Sequence, residues 1–445
     1  MISELEKALK SLPPAADEAI VEQNFSKQFL KALGYGEQEI RPQFPVGKRW
    51  VDQAARKNTE DDIFLHTGNR PYLYMEVKGR TANLAEGHPD YRKAALQLKQ
   101  YLLNPASKSV RWGILTNSVV AQLFCKHGKV VHPVTPCLSF EDVKQLVKDI
   151  KKRIEAPQKS LIVTVYNNKG GVGKTTTTLN LAATLSMLKR RVLVIDFDPN
   201  QSDLGDALNL SPSRGEMRRI LEGKSTDIRE VIKAYRFEHP KLKEPLGFDV
   251  ILADEELVSD IDEVKLRQKV KPAALLRALE LIKTEYDYIL IDAPPNWRIF
   301  SQRAIYAADV VLIPARHDNL HSLQNAAMAI TKFIPEAQRE RNKAGDAGPI
   351  ALPVFMNNAF RVSEAQLQLM QNAIARIIKD AKKDGFDLTS YFYPRLRRGH
   401  RDLRMISIPY MAYISKSDFL HVPAAFAFKN ARDQYLNLAK EYFIQ

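Results

Sequence analysis

Hydrophobic positions along this 445-residue chain alternate between short unbroken apolar runs and stretches of helical spacing. In the later part, Leu161–Tyr166, Arg191–Asp196, Tyr286–Asp292, Asp309–Pro314 and Ile350–Asn357 are apolar runs of strand length. Helical periodicity fills the gaps, notably over Thr177–Ser186 and Ser322–Phe333. Continuous rather than alternating apolarity predicts strands covered on both faces, and strands alternating with helices predict βαβ units. The expected fold of this part is therefore α/β: a doubly wound, mostly parallel sheet with ligands at the carboxyl ends of its strands.

The earlier part has a different grammar. A helix is expected over Ala19–Tyr35, ending at Gly34, followed by short strands at Trp50–Ala55, Asp62–Leu65 and Pro71–Lys78. A helix over Tyr91–Leu103 and strands at Arg111–Thr116 and Val120–Phe124 complete it. A charged helix, Val143–Glu155, then runs into Ala156–Ser160, where a proline and small polar residues mark a junction. The expected organisation is a domain over 1–150, a linker over 151–160 and a second domain over 161–445.

The chemistry of the second domain concentrates in Asn168, Lys169, Gly170, Gly171, Val172, Gly173, Lys174, Thr175 and Thr176, between the first strand and the first helix. Glycines let backbone N–H groups turn inward around an anion, and the helix N-terminus adds positive potential. In a phosphate-binding loop of this kind Lys174 neutralises β/γ-phosphate charge and the Thr175 hydroxyl ligates Mg²⁺. Two further apolar strands end in acids: Asp196 and Asp198 after one, Asp292 after the other.

The Lys-Gly-Gly-x-Gly-Lys-Thr-Thr form, with Lys169 directly before two glycines, resembles the deviant Walker A motif of the ParA/MinD family of ATPases. The resemblance covers about residues 158–445. It implies ATP and Mg²⁺ as cofactors and an ATP-dependent homodimer in which Lys169 reaches the partner's phosphates. A cation so placed acts like an arginine finger, a device worth on the order of 10³–10⁵ in rate. By the same resemblance Asp198 orients the attacking water, Asp196 lies in the outer shell of the magnesium, and Asp292 holds the metal at the Walker B position. One of Asn357 and Asn358 falls where relatives place an adenine-reading asparagine.

Composition adds a partner. Lysine and arginine number 66 against 52 acids, a net charge of +14 with pI near 9.5, more than a nucleotide pocket needs. A clustered basic surface attracts the phosphate backbone of nucleic acid. The densest cluster holds Arg395, Arg397, Arg398, Arg401 and Arg404, in the region where ParA-like proteins bind DNA without sequence preference. No apolar run approaches the ~18 residues of a membrane-spanning helix, and the amphipathic end, Asn430–Gln445, carries mixed charge, so no membrane contact is expected. The acidic, amphipathic N-terminus does not read as a signal peptide. The two cysteines, Cys125 and Cys137, fit a reducing compartment. The resemblance implies a bacterial or archaeal cytoplasmic protein associated with the nucleoid, acting with a stimulating partner protein or a cargo.

In the first domain Glu76 and Lys78 lie two apart on one strand, so both project from the same face. A carboxylate and an ammonium there, with a second acid from a neighbouring strand, can bind Mg²⁺ or Mn²⁺ and deprotonate water for phosphodiester attack. Asp52 and Asp62 are both candidates for that second acid. The arrangement resembles the PD-(D/E)xK core of restriction-endonuclease-like α/β domains, especially the N-terminal module of type I restriction-enzyme R subunits. Gln97 and Tyr101 are similar to the Q-x-x-x-Y helix of that group, and Glu22 to its first-helix acid.

Three functions follow as expectations. The first is a ParA-type switch in which ATP closes a DNA-binding dimer that partitions DNA or positions cargo. The second is an ATP-gated, metal-dependent endonuclease for defence or DNA processing. The third is a positioning scaffold whose first domain only recruits a protein partner.

Overall fold

The computed structural model describes residues 1–225, 227–238, 243–257, 263–359, 363–396 and 402–445. The chain divides into two compact units. One comprises Met1–Pro157 with Asn342–Ala347 and Phe443–Gln445; the other comprises Gln158–Arg341 and Gly348–Tyr442. The short later segments therefore depart from the single boundary expected near residues 151–160. Among the described residues no helix is long and apolar enough to cross a membrane.

The first unit is built on a sheet of strands β1 (Ile40–Val46), β2 (Arg49–Ala55), β3 (Leu73–Val77), β4 (Trp112–Thr116), β5 (Val120–His127) and β6 (Val130–Pro133), in that spatial order. A short β7 (Leu138–Ser139) pairs with β5. β3 and β4 are parallel, joined through the helix Pro89–Leu102, while the other pairs are antiparallel. Apolar residues cover both faces. One core holds Phe25, Phe29, Leu73, Met75 and Val147; the other holds Phe44, Val51, Tyr74, Leu98 and Leu102. The expected strand at Asp62–Leu65 is absent. Residues Phe64–Thr67 form one helical turn closed by Gly68 in the left-handed region (φ 63°), and Asp62 makes only an isolated bridge with Thr59.

In the second unit the strands are β8 (Leu161–Val165), β9 (Val192–Asp196), β10 (Lys233–Phe237), β11 (Leu246–Ile251), β12 (Tyr288–Asp292), β13 (Val310–Leu312), β14 (Pro314–Ala315), β15 (Ile350–Ala351), β16 (Phe355–Ala359) and β17 (Ile406–Pro409). The main sheet runs β10-β11-β9-β12-β8-β13-β15, and only the β10–β11 pair is antiparallel. Every residue of β8, β9 and β12 is buried, which is why these segments read as unbroken apolar runs.

Two runs expected as single strands are each split. Asp309–Pro314 divides into β13 and β14, and the run from Ile350 divides into β15 and β16, with β14, β16 and β17 forming a separate parallel sheet. Pro314 opens β14 and Pro353 lies in the β15–β16 gap; a proline donates no ladder hydrogen bond and favours such breaks.

Candidate active site

Three strands of the second unit end together. In register, Asp292 of β12 lies between Val165 of β8 and Asp196 of β9. The phosphate-loop residues leave β8 at this edge and enter the buried helix Lys174–Met187. Gly171 and Gly173 take left-handed backbone (φ 72° and 80°), a conformation side chains rarely adopt. A Cβ on Gly173 would also collide with the Asn357 amide, whereas Gly170 and Gly171 face open space. The loop is thus tied at its helix end and open across its glycines.

Beneath the loop, the Thr175 hydroxyl donates to Asp292 Oδ2 at 2.6 Å. The Asp198 N–H donates to Asp196 Oδ1 at 3.1 Å, and Asp198 Oδ1 accepts from the Asn200 N–H at 3.2 Å. Two buried oxygens, Asp196 Oδ2 and Asp292 Oδ1, have no hydrogen-bond partner among the described residues. Burial, reinforced by the Asp292 charge, pushes the Asp196 carboxyl well above its ordinary range. Burial likewise raises Asp292 to about 7, against the pull of Thr175 and Lys174. Asp198 is raised by burial too, and Lys174 is lowered by it. Two orphaned oxygens beside a hydroxyl, on acids that resist ionising without a cation, fit a hard divalent ion such as Mg²⁺.

The Lys174 ammonium donates to the Lys169 carbonyl at 3.3 Å. The half-buried Lys169 ammonium makes no hydrogen bond or ion pair to the described residues. Several braces escaped sequence reasoning. Asn167 Nδ2 donates to the carbonyls of Pro314 (2.7 Å) and Ser322 (3.0 Å), and Asn325 Nδ2 donates to that of Asn168. Arg316, held by both oxygens of Asp318, reaches the Gly171 carbonyl at 3.4 Å. The structure places Asn357 against the loop: its buried amide donates to the carbonyls of Val172 (2.9 Å) and Gly173 (3.3 Å). Its NH₂ group is therefore occupied in bracing the loop. The side chain of Asn358 lies outside what the structure describes.

A family model described as an AAA domain matches residues 160–344. The chromosome-partitioning ATPase Soj of Treponema pallidum is 36% identical over 236 residues, spanning 51% of this chain and 87% of that protein. The sporulation initiation inhibitor protein Soj of Bacillus subtilis is 37% identical over 181 residues, spanning 39% of this chain and 67% of its own. The chain belongs to the ParA/MinD-type P-loop ATPases. A solved Cyanothece McdA–ATP complex aligns at 20% identity with a TM-score of 0.47, covering 65% of this chain and 98% of that one.

Of the five arginines expected to meet DNA in this ParA/MinD-type chain, Arg397, Arg398 and Arg401 lie outside the described residues. Arg395 pairs with Glu441 at 3.0 Å, and Arg404 pairs with Asp402 at 2.8 Å. Both described cations are already partly neutralised.

The Met1–Pro157 part of the first unit, outside the span matched by the family model, carries a second cluster. Asp52 Oδ2 accepts from the Val77 N–H at 2.7 Å, across the diverging ends of β2 and β3. Lys78 Nζ lies 2.7 Å from Glu76 Oε1 and 3.1 Å from Glu18 Oε2. One carboxylate oxygen each from Glu18, Asp52 and Glu76 lies within 4.8 Å of the others. Glu76 Oε2 is buried without a hydrogen-bond partner among the described residues. Burial, then the Asp52 charge, raises Glu76 to about 8; burial raises Asp52 to about 6. These acids too fit a divalent cation.

Of the two candidate second acids, the structure brings Asp52 to Glu76. Asp62 is corrected out of the cluster: it pairs with Arg56 at 3.0 Å, and its hydrogen bond from Thr67, with Arg56, holds it below the usual range. Glu22 accepts from Gln43 Nε2 at 2.7 Å instead of joining the three acids. Glu18, one helical turn earlier, takes that place; its i,i+4 spacing from Glu22 is the signal that could have found it. Gln97 Nε2 donates to the Tyr101 hydroxyl at 3.1 Å.

Proposed function

We propose that the chain is an ATP-driven dimerisation switch that binds DNA in its closed state and releases it on hydrolysis. The arrangement of Thr175, Asp292 and Asp196 under an open glycine loop, with one buried oxygen of each acid lacking a hydrogen-bond partner among the described residues, carries this reading. Backbone N–H groups of Gly170–Thr176 cradle the phosphates and Lys174 neutralises their charge. Thr175 and Asp292, with Asp196 behind them, would hold Mg²⁺, which supplies charge neutralisation on the phosphate oxygens when bound. Asp198 accepts a hydrogen bond from the attacking water and orients it. Lys169, whose ammonium has no partner among the described residues, serves the partner's phosphates. The relatives named as chromosome-partitioning proteins favour DNA or cargo positioning as the outcome.

DNA contact in this switch rests on the +14 charge and the Arg395–Arg404 region. If about five cations meet phosphates, the slope of log K against log[salt] is roughly −4 to −5. Purified protein is expected to hydrolyse ATP only with Mg²⁺, and faster with non-specific duplex DNA. Turnover indifferent to both would refute the switch.

A second reading applies to the first unit, favoured by Glu18, Asp52 and Glu76 converging beside Lys78. It is a metal-dependent phosphodiesterase module of the PD-(D/E)xK kind, in which the acids hold Mg²⁺ or Mn²⁺ and Lys78 steadies the attacked phosphate. Plasmid incubated with Mn²⁺ and ATP is expected to be cut by wild type and spared by Glu76→Ala. Intact plasmid with both proteins counts against it.

A further inference from the structure

The chain has three tryptophans, and their surroundings differ sharply. Trp112 is 4% exposed in the first unit's core, and Trp297 stacks on Phe333 with ring centroids 4.1 Å apart. Trp50 is 58% exposed. Folding does not require an indole there. Its neighbour Val51 is fully buried and pairs with Phe44 across the β1–β2 ladder, whereas Trp50 pairs with the exposed Pro45. A large aromatic left in water at such a position is characteristic of a contact surface.

The tip that presents it is built rather than loose. Gly47 turns the chain with φ 66°, close against Asn104, where an added Cβ would lie 3.0 Å from the amide nitrogen. Arg49 donates to Gln100 on the helix Pro89–Leu102, the helix that also carries Gln97 and Tyr101. Lys48 and Arg49 directly precede Trp50 in the chain and are exposed. Along β2, Trp50 precedes Asp52 by two residues, about 7 Å of strand at the usual rise.

We propose that the hairpin tip Gly47–Trp50 is a binding site for single-stranded nucleic acid, with Trp50 stacking on an unpaired base and Lys48 and Arg49 meeting the adjoining phosphates. An exposed indole adjoining cations in the chain is the combination that holds single strands, since every base offers a π-face and every linkage a charge. Duplex stacking hides those faces, so the site selects unpaired or splayed segments. The inference rests on the reading that the first unit acts on nucleic acid, and deepens it: the strand gripped at Trp50 passes its next phosphates toward Asp52.

The test uses full-length protein without ATP or divalent metal, titrated with a short labelled single strand and with its duplex. The single strand is expected to quench the exposed tryptophan. Trp50→Ala is expected to weaken single-strand binding about tenfold with an unchanged melting temperature, and Trp50→Phe to restore most of it. Lys48→Ala with Arg49→Ala is expected to flatten the salt dependence. Equal single-strand affinity in wild type and Trp50→Ala, unquenched emission at saturation, Trp50-dependent binding of duplex alone, or no single-strand binding would each overturn the proposal. Plasmid cleavage lost in Glu76→Ala, together with binding indifferent to Trp50, would overturn the hairpin contact and leave the nuclease reading standing. Trp50-dependent binding with no cleavage by wild type would do the reverse.

Discussion

Thr175 donates its hydroxyl hydrogen to Asp292 Oδ2 at 2.6 Å, joining the first turn of the phosphate-loop helix to the end of a strand 117 residues later. Asp292 Oδ1 and Asp196 Oδ2 are left without a partner among the described residues, and on the proposed reading these two oxygens would face the cation. Removing either member of the Thr175–Asp292 bond should therefore injure metal-dependent turnover more than nucleotide contact. Thr175→Ala and Asp292→Asn are each expected to lower kcat by at least about 10²-fold, with weaker loss of nucleotide binding measured calorimetrically without metal. Near-normal kcat in either variant would contradict this role.

The same burial makes a pH prediction. The folded-state pKa of Asp292 is raised from 3.8 to about 7, so between those values the folded chain holds a proton that the unfolded chain has lost. Stability from this group is full below about pH 4 and declines as pH rises toward 7. Asp196, raised for the same reason, acts in the same direction. Thermal melts without divalent metal should show the second unit losing stability from pH 5 to pH 8. Asp292→Asn should flatten that decline, and Mg²⁺ with ATP should stabilise wild type more at pH 8 than at pH 5. An unchanged pH profile in the variant would count against the assignment.

Asn357 yields a prediction that separates a loop brace from a base reader. Asn357→Ala takes the donor from the Val172 carbonyl, a loss of about 1–3 kcal/mol, and loosens the loop, while the Gly173 carbonyl keeps the Thr177 N–H and hydroxyl. Affinity for ATP and GTP should fall by the same factor, with a lower melting temperature. A selective loss for ATP would assign the side chain to adenine instead.

What was legible in the sequence is what neighbours in the chain decide. The phosphate loop, its strand and its helix are contiguous, so glycine spacing and apolar pattern expose them together. Asp196 and Asp292 could be read because a strand's carboxyl end is a defined place in a parallel sheet. The bracing contacts of Asn357 and Arg316 could not, because each reaches a loop more than 140 residues away and carries no local signature. Asp62 looked plausible on hairpin spacing, yet the chain turns at Phe64–Gly68 and gives its carboxylate to Arg56. The split of β15 from β16 was written in Pro353 but masked by the apolar residues around it.

The central claim is that ATP joins two copies of this chain, with Lys169 of each serving the phosphates of the other. Light scattering of Asp198→Ala, which binds but does not turn over nucleotide on this account, measures it most directly. With ATP and Mg²⁺ the mass should be twice the 50.5 kDa of one chain, and adding Lys169→Ala should return it to that value. A mass that stays at 50.5 kDa with ATP, or a dimer indifferent to Lys169, would contradict the account.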